Sequence, residues 1–341
     1  MAQINPRLIQ AITEQPTEDI PESPTVAKLP GTYAKLINRN KDKIKSRCPD
    51  NFFMVKCKSC ERKGKYNVGL ILVNIDQKSR PEETEPNEMA QTTGYFRCKH
   101  CNDAGNWEMP IDFNMAILAG MVMHDSPIED KRCELGTHRL FDGSWHLYCS
   151  DAEEHLLDLL TEEPDNAYLW TRLANLYFTG NRPELTACVL EHALSIDRYQ
   201  TEARYTLGSF FHQIGELELA AEHYKYMLLS ANKYQKMDVI DFRHFLADGL
   251  NDLFLIHLRS NQEIPFLPSI ESMEQAGLNL GNDRKIVELD FELFPDELES
   301  FYPLAEMYMG SLRNRIPKRQ RRLTISINQK GKKKRHKKRR K

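Results

Sequence analysis

Two identical spacings carry the most specific chemistry in this 341-residue chain: Cys57-Lys-Ser-Cys60 and Cys98-Lys-His-Cys101. Two residues between paired cysteines let both sulfurs of a turn reach one ion. Two such turns therefore offer four thiolates to a tetrahedral metal, and zinc is the ordinary occupant of an all-sulfur site. Lys56, Lys58 and Lys99 flank the cysteines and favour thiolate over thiol. The 37 residues between Cys60 and Cys98 exceed the roughly 15–20 common between such pairs. The excess lies in a polar stretch, 77–93, and each doubling of a loop costs only about 0.6 kcal/mol in closure entropy. The competing reading is four buried or redox-active thiols.

A second set of ligand types surrounds a turn signal. Cys133 and His138, four residues apart, and His146 and Cys149, two residues apart, flank Asp142-Gly143 and are of the right kind for a second metal site. Isolated cysteines and histidines at such positions are more commonly packing or surface residues. Cys48 reads as a spare thiol and Cys188 as part of a repeat core.

The elements that must position these groups are short strands. Phe52–Cys57 and Val68–Ile75 are rich in β-branched and aromatic residues, Gly94–Cys98 reads as a third strand and Asn106–Met109 as a fourth. Each C-x-x-C pair thus closes a strand. The arrangement over about 52–110 resembles a zinc ribbon, which implies a three-stranded β unit tied by a structural metal. A thioredoxin-like redox site calls for a βαβ context, and none is visible. Asp112–His124 is either a helix or a buried strand, because a continuous apolar run does not separate the two. Arg139–Phe141 and Ser144–Tyr148 read as a hairpin whose Asp-Gly turn suits type I′. Ser150 and Glu153 then fit a capping box that opens a helix. Residues 1–50, punctuated by Pro16, Pro21, Pro24 and Pro30, read as weakly ordered, with a short helix over 31–45.

From 151 the pattern repeats every 34 residues. Ala152, Leu156, Leu159, Leu160 and Pro164 recur as Thr186, Leu190, Ala193, Leu194 and Arg198, and again as Ala220, Tyr224, Met227, Leu228 and Asn232. Trp170, Leu173, Ala174 and Tyr177 recur as Arg204, Leu207, Gly208 and Phe211. Such a period marks stacked helix-turn-helix units, which bury their apolar faces against neighbours and leave a concave surface for partners. Residues 152–234 resemble tetratricopeptide repeats. Leu207, Gly208, Phe211, Gly215, Ala220, Tyr224 and Leu228 stand at the family spacing, while Thr186 and Arg198 depart from it. The resemblance implies a concave face presenting Tyr168, Thr171, Asn175 and Phe178, with Glu202, Tyr205, Ser209 and His212 as counterparts, suited to an extended peptide. Arg172 and Asn175 resemble part of the carboxylate clamp of chaperone-binding members, but the accompanying lysines are absent, so that ligand is not expected. A capping helix over 238–257 and a further helical segment over 283–310, interrupted at Pro295, complete the reading.

The chain ends in charge. Of 47 Lys and Arg, 16 lie in 313–341, which holds no Asp or Glu, so the remaining 31 face all 49 acidic residues. The body is acidic and the tail basic. Lys332, Lys333, Lys334, Arg335, Lys337, Lys338, Arg339, Arg340 and Lys341 have nothing apolar to bury and read as a disordered tail. Such a run neutralises phosphates in a sequence-independent, salt-sensitive way, or serves as an import signal if the cell has a nucleus. No phosphate-binding glycine loop, dinucleotide fingerprint, zinc-protease helix or nucleophile elbow is present. No secretory signal is visible, and unpaired C-x-x-C cysteines suit a reducing, cytoplasmic compartment.

The fold class expected is therefore α+β and multidomain: a weakly ordered start (1–50), a zinc-ribbon-like unit (51–110), a connector with a hairpin (111–150), a helical solenoid with cap (151–260), a helical segment (261–312) and a basic tail (313–341). The function expected is a non-enzymatic protein-interaction adaptor with structural zinc. The alternatives are an RNA-, ribosome- or DNA-associated factor using ribbon and tail, and a metalloenzyme of unrecognised type.

Overall fold

The computed structural model describes residues 3–74, 86–123, 132–276 and 292–323. Two small sheets lie in the first half of the chain and helices make up most of the rest, an α+β arrangement. The strands are β1 (Phe52–Cys57), β2 (Lys63–Asn67), β3 (Ile71–Val73), β4 (Ala90–Thr92), β5 (Trp107–Glu108) and β6 (Cys133–Leu135). One sheet runs β2-β1-β5, all antiparallel. The other runs β4-β3-β6, with β3 antiparallel to β4 and parallel to β6.

Along β1, Val55 and Cys57 point into a core with Tyr66, Phe96, Trp107 and Phe113, while Phe52 and Met54 face outward. That alternation is what makes a half-buried strand. The expected strand over Gly94–Cys98 is a correction: the segment is buried and makes no ladder. Its amides bond three separate partners, Gly94 to Val68 O (2.8 Å), Tyr95 to Gly180 O (3.1 Å) and Cys98 to Asp103 O (2.7 Å). The expected strand from Val68 begins only at Ile71, because Gly69 sits at φ +67° and turns the chain.

The segment 1–50 is a second correction. It carries α1 (Pro6–Thr13) and α2 (Tyr33–Arg39) and buries Ile4, Leu8, Leu29, Ala34 and Ile37. Its anchors are distant in sequence. Arg7 pairs with Glu154 (2.5 Å) and Asp158 (2.7 Å). The Glu191 carboxylate accepts from the amides of Thr32 (2.9 Å) and Tyr33 (2.8 Å), capping α2 and placing a negative charge at its positive end.

Residues 111–123 are helical, α3 (Ile111–Met123). Phe113 and Ile117 are buried, while Ile111, Met115, Leu118 and Val122 are exposed. Apolar residues on both faces erase the helical period, which is why composition left helix and strand open. The Asp142-Gly143 turn joins an antiparallel bridge, Arg139 to Trp145. Only Gly143 has positive φ (+85°), and Leu140 N bonds Ser144 O (3.0 Å). The turn is thus a three-residue type I turn with a glycine bulge, in place of the expected type I′.

The following helices are α4 (Cys149–Glu162), α5 (Ala167–Thr179), α6 (Pro183–Ile196), α7 (Thr201–Ile214), α8 (Leu217–Ser230) and α9 (Val239–Arg259). α7 and α8 begin 34 residues after α5 and α6. Asn166 caps α5 by accepting from Tyr168 N and Leu169 N, and Trp170, fully buried, donates to Pro164 O (2.7 Å). The chain divides into two compact units between His223 and Tyr224, inside α8. Composition placed boundaries near 50, 110 and 150, but α1 packs on α4, α2 on α6, and the segment after β4 on α5, so these stretches form one body.

The second unit continues through α9, α10 (Ile270–Gln275) and α11 (Tyr302–Tyr308). α9 buries Phe242, Leu246, Leu250 and Leu253, and α11 packs against it with Leu304 and Ala305. Glu306, fully buried, pairs with Arg243 (3.1 Å) and accepts from the amides of Arg322 and Leu323 (2.9 Å each). Of the expected helical segment 283–310, residues 283–291 lie outside the described residues. Among the described residues, no helix is long and apolar enough to cross a membrane.

Candidate metal centre

The two C-x-x-C turns are near copies of each other. In each, the amide of the first cysteine bonds the carbonyl five residues on, Cys57 to Arg62 (3.0 Å) and Cys98 to Asp103 (2.7 Å). In each, the residue after the second cysteine is left-handed, Glu61 at φ 62° and Asn102 at φ 59°. Asparagine visits that region readily, whereas glutamate does so at some cost. The first turn joins β1 to β2. The second is held against it by β5, where Cys57 pairs with Trp107, and by Ser59, which donates to the Asp103 carboxylate.

All four sulfurs lie within 4.8 Å of one another. Cys57 and Cys101 are 3.7 Å apart, and Cys60 and Cys98 are 3.6 Å apart. A tetrahedron with zinc–sulfur bonds near 2.3 Å has an edge of about 3.8 Å. The separations therefore fit a four-sulfur zinc site, and all four cysteines are free of disulfides. Burial opposes ionisation of Cys98. The amides of Cys101 and His100 and the thiols of Cys101 and Cys60 outweigh it and bring its pKa to about 7. Burial and the surrounding sulfurs push Cys101 up to about 12. The first proton thus leaves Cys98 easily, and full ionisation calls for a cation among the sulfurs. Tyr66, behind the site, donates to Cys98 Sγ (3.8 Å) and accepts from the Lys99 amide (3.0 Å).

The turn that carries Cys98 and Cys101 is joined to the helices by a buried polar cluster that the sequence did not reveal. Glu153 is fully buried and accepts from Tyr95 Oη (2.8 Å), Tyr177 Oη (2.5 Å) and Arg97 (3.0 Å). Burial raises its pKa, while Arg97 and the two hydroxyls oppose that rise. The expected capping box is therefore a correction: the helix is capped at Tyr148 with no side-chain cap bond, and Glu153 turns inward to hold Arg97, the residue before Cys98. The signal available was an acidic residue one helical turn from Leu156 and Leu157, on the stripe that faces the core.

The second candidate set is not gathered. Among the described residues only Cys57, Cys60, Cys98 and Cys101 form a metal-ligating group. Cys133 lies in β6 against Gly120, and Cys149 is buried with its thiol toward Leu176 O (3.6 Å). His138 and His146 line a cavity with Cys149, and the His146 ring lies tilted against His155 at 5.1 Å. Burial and the neighbouring His155 keep the His146 imidazole below its ordinary pKa.

On the expected peptide face, Tyr168, Asn175 and Phe178 on α5 and Tyr205, Ser209 and His212 on α7 are half-exposed. Thr171 is a correction: it is buried and donates to Ala167 O (2.9 Å). Phe178 meets Phe210 edge-on at 5.0 Å and carries the Arg47 guanidinium 5.2 Å above its ring, and Tyr168 meets Phe141 at 5.6 Å. The residues Lys332 to Lys341 lie outside the described residues.

The chain was compared with protein-family models, curated proteins and solved structures. None matches it.

Proposed function

We propose that this chain is a non-enzymatic protein-interaction adaptor, built from a zinc ribbon and a tetratricopeptide-like helical stack. The observation that carries the zinc assignment is the pair of sulfur separations, 3.7 and 3.6 Å, in a four-thiolate set. Four protein ligands fill a tetrahedral zinc and leave no position for water or substrate, so the metal acts as a structural tie. The peptide reading is supported by the half-exposed row on α5 and α7, aromatic and amide groups recurring at the same offset as the helices. Rings supply contact area, and the amide and hydroxyl groups bond an extended backbone. A thiolate zinc site also suits a reducing compartment.

A second reading, contact with RNA or ribosomes, is favoured by the outer face of β1 and β2. Phe52 and Met54 are about half exposed there, and Lys65 Nζ sits 5.0 Å over the Phe52 ring. Exposed rings beside lysines suit stacked bases and phosphates, and the basic tail would add electrostatic reach. One experiment separates the two readings. Quantitative affinity purification is run with the full chain and with the Asn175→Ala/Tyr205→Ala variant, each with and without nuclease. The adaptor reading expects partners that survive nuclease and are lost in the variant. Partners lost to nuclease and indifferent to the variant would overturn it in favour of RNA.

A further inference from the structure

A cavity of about 340 Å³ opens between the Arg139–Trp145 bridge, the end of β4 and helices α4 and α5. Its volume lies in the range of small-molecule sites. Three guanidiniums line it, Arg47, Arg139 and Arg172, and no aspartate or glutamate does. That is unexpected in a body whose charge is otherwise dominated by acids. Arg139 donates to Gly143 O (3.1 Å), Arg47 lies over the Phe178 ring, and neither makes an ion pair among the described residues. Arg172 shares its charge with Glu202, yet its Nε is buried without a hydrogen-bond partner. The rest of the wall is mixed: Gln91, Asn175, His138 and His146 contribute polar groups, and Leu140, Phe141, Tyr148 and Leu176 form an apolar and aromatic patch.

We propose that this cavity is a binding site for a small organic phosphomonoester, with the phosphoryl group on the arginines and an apolar or aromatic body against Phe141, Tyr148 and Leu176. Charge and donor geometry select the phosphoryl group. With Arg172 partly neutralised by Glu202, the wall carries a surplus of about two positive charges, which matches the roughly −1.5 to −2 charge of a phosphomonoester near neutral pH. Each guanidinium presents a planar fork of donors, and three phosphoryl oxygens satisfy several forks where a single carboxylate satisfies one. The cavity is larger than an inorganic anion requires, and its apolar patch of Leu140, Phe141, Tyr148 and Leu176 suits a body attached to the acid group. The site is assembled by chain segments distant in sequence, which is why no motif announces it.

The test is calorimetric titration of the full chain with phenyl phosphate, benzoate and inorganic phosphate, repeated on Arg139→Gln and Arg47→Gln. Both side chains are exposed at the rim, so the variants keep the fold, which circular dichroism checks. The expected result is one site per chain for phenyl phosphate, binding more tightly than either control. Each variant should weaken it by about tenfold, the scale of a lost hydrogen bond to a charged group. Equal binding of benzoate, or no measurable phenyl phosphate binding, would overturn the proposal. So would affinity unchanged in both variants, the outcome for phosphate drawn only to the basic tail.

Discussion

Replacing Glu153 tests the buried link between the metal turn and the helices. Glu153→Leu fills a similar volume but removes the acceptor of three donors: Tyr95 Oη, Tyr177 Oη and Arg97. Breaking a buried charge pair from one side costs about 3–5 kcal/mol. Arg97 keeps a bond to Asn102 O (2.9 Å) and lies 3.6 Å from Glu154, so its charge is not wholly stranded. The expected loss is therefore about 3–4 kcal/mol. Glu153→Gln keeps an acceptor and loses only the charge, and should cost about 1–2 kcal/mol. Tyr177→Phe, which deletes a single hydroxyl, should cost about 1 kcal/mol. All three tryptophans, Trp107, Trp145 and Trp170, lie in the unit ending at His223, so their fluorescence reports its unfolding in urea. With a slope of roughly 2–3 kcal/mol/M, the leucine variant should lower the midpoint by roughly 1–2 M and the glutamine variant by about half a molar. Midpoints for the leucine and glutamine variants that agree within error would mean that the carboxylate is not holding Arg97.

Three further outcomes test His223, Gly180 and the basic tail. Burial, with Arg204 beside it, holds the His223 pKa at about 3. An unfolded histidine titrates near 6.5, so stability present above that pH should fall as the unfolded chain takes up the proton, by about 2 kcal/mol at pH 5. His223→Gln should flatten this acid limb in fluorescence-monitored unfolding, and an unchanged limb would exclude His223 as its source. A Cβ on Gly180 would lie 2.6 Å from Tyr95 Cβ and 2.9 Å from its amide nitrogen. Gly180→Ala should therefore cost about 1–3 kcal/mol, and a wild-type midpoint would show that α5 and the segment before Cys98 do not approach so closely. Deleting residues 331–341 should abolish most low-salt binding to single-stranded RNA while leaving helical content intact. Binding by the intact chain should weaken with salt at a log–log slope of about −0.7 per phosphate, and retained binding after the deletion would remove the tail as the contact.

The two C-x-x-C turns were legible because metal-ligand chemistry demands a fixed local spacing, and the helices from α4 to α8 because their apolar residues recur every 34 positions. What escaped depended on partners far away. Nothing within 1–50 announces that Glu191 will cap α2 or that Glu154 and Asp158 will hold Arg7. β2 has only Tyr66 buried, so Lys63–Asn67 carries little strand signal of its own and becomes a strand by pairing with β1. Glu153 stood three residues after a serine and fitted a capping box. The local rule lost to a buried arginine and two buried hydroxyls brought in by the fold. The cavity arginines, 47, 139 and 172, share no segment at all.

The proposed function stands on one structural zinc held by Cys57, Cys60, Cys98 and Cys101. X-ray absorption at the zinc edge, on protein purified without chelator and with metal content measured alongside, tests it most directly. The expected result is one zinc per chain with four sulfurs near 2.3 Å, and loss of both the metal and the ribbon's protection from proteolysis in Cys98→Ser, while α5–α7 stay helical. Protein that carries no zinc, or a zinc shell containing nitrogen or oxygen in place of four sulfurs, would contradict it.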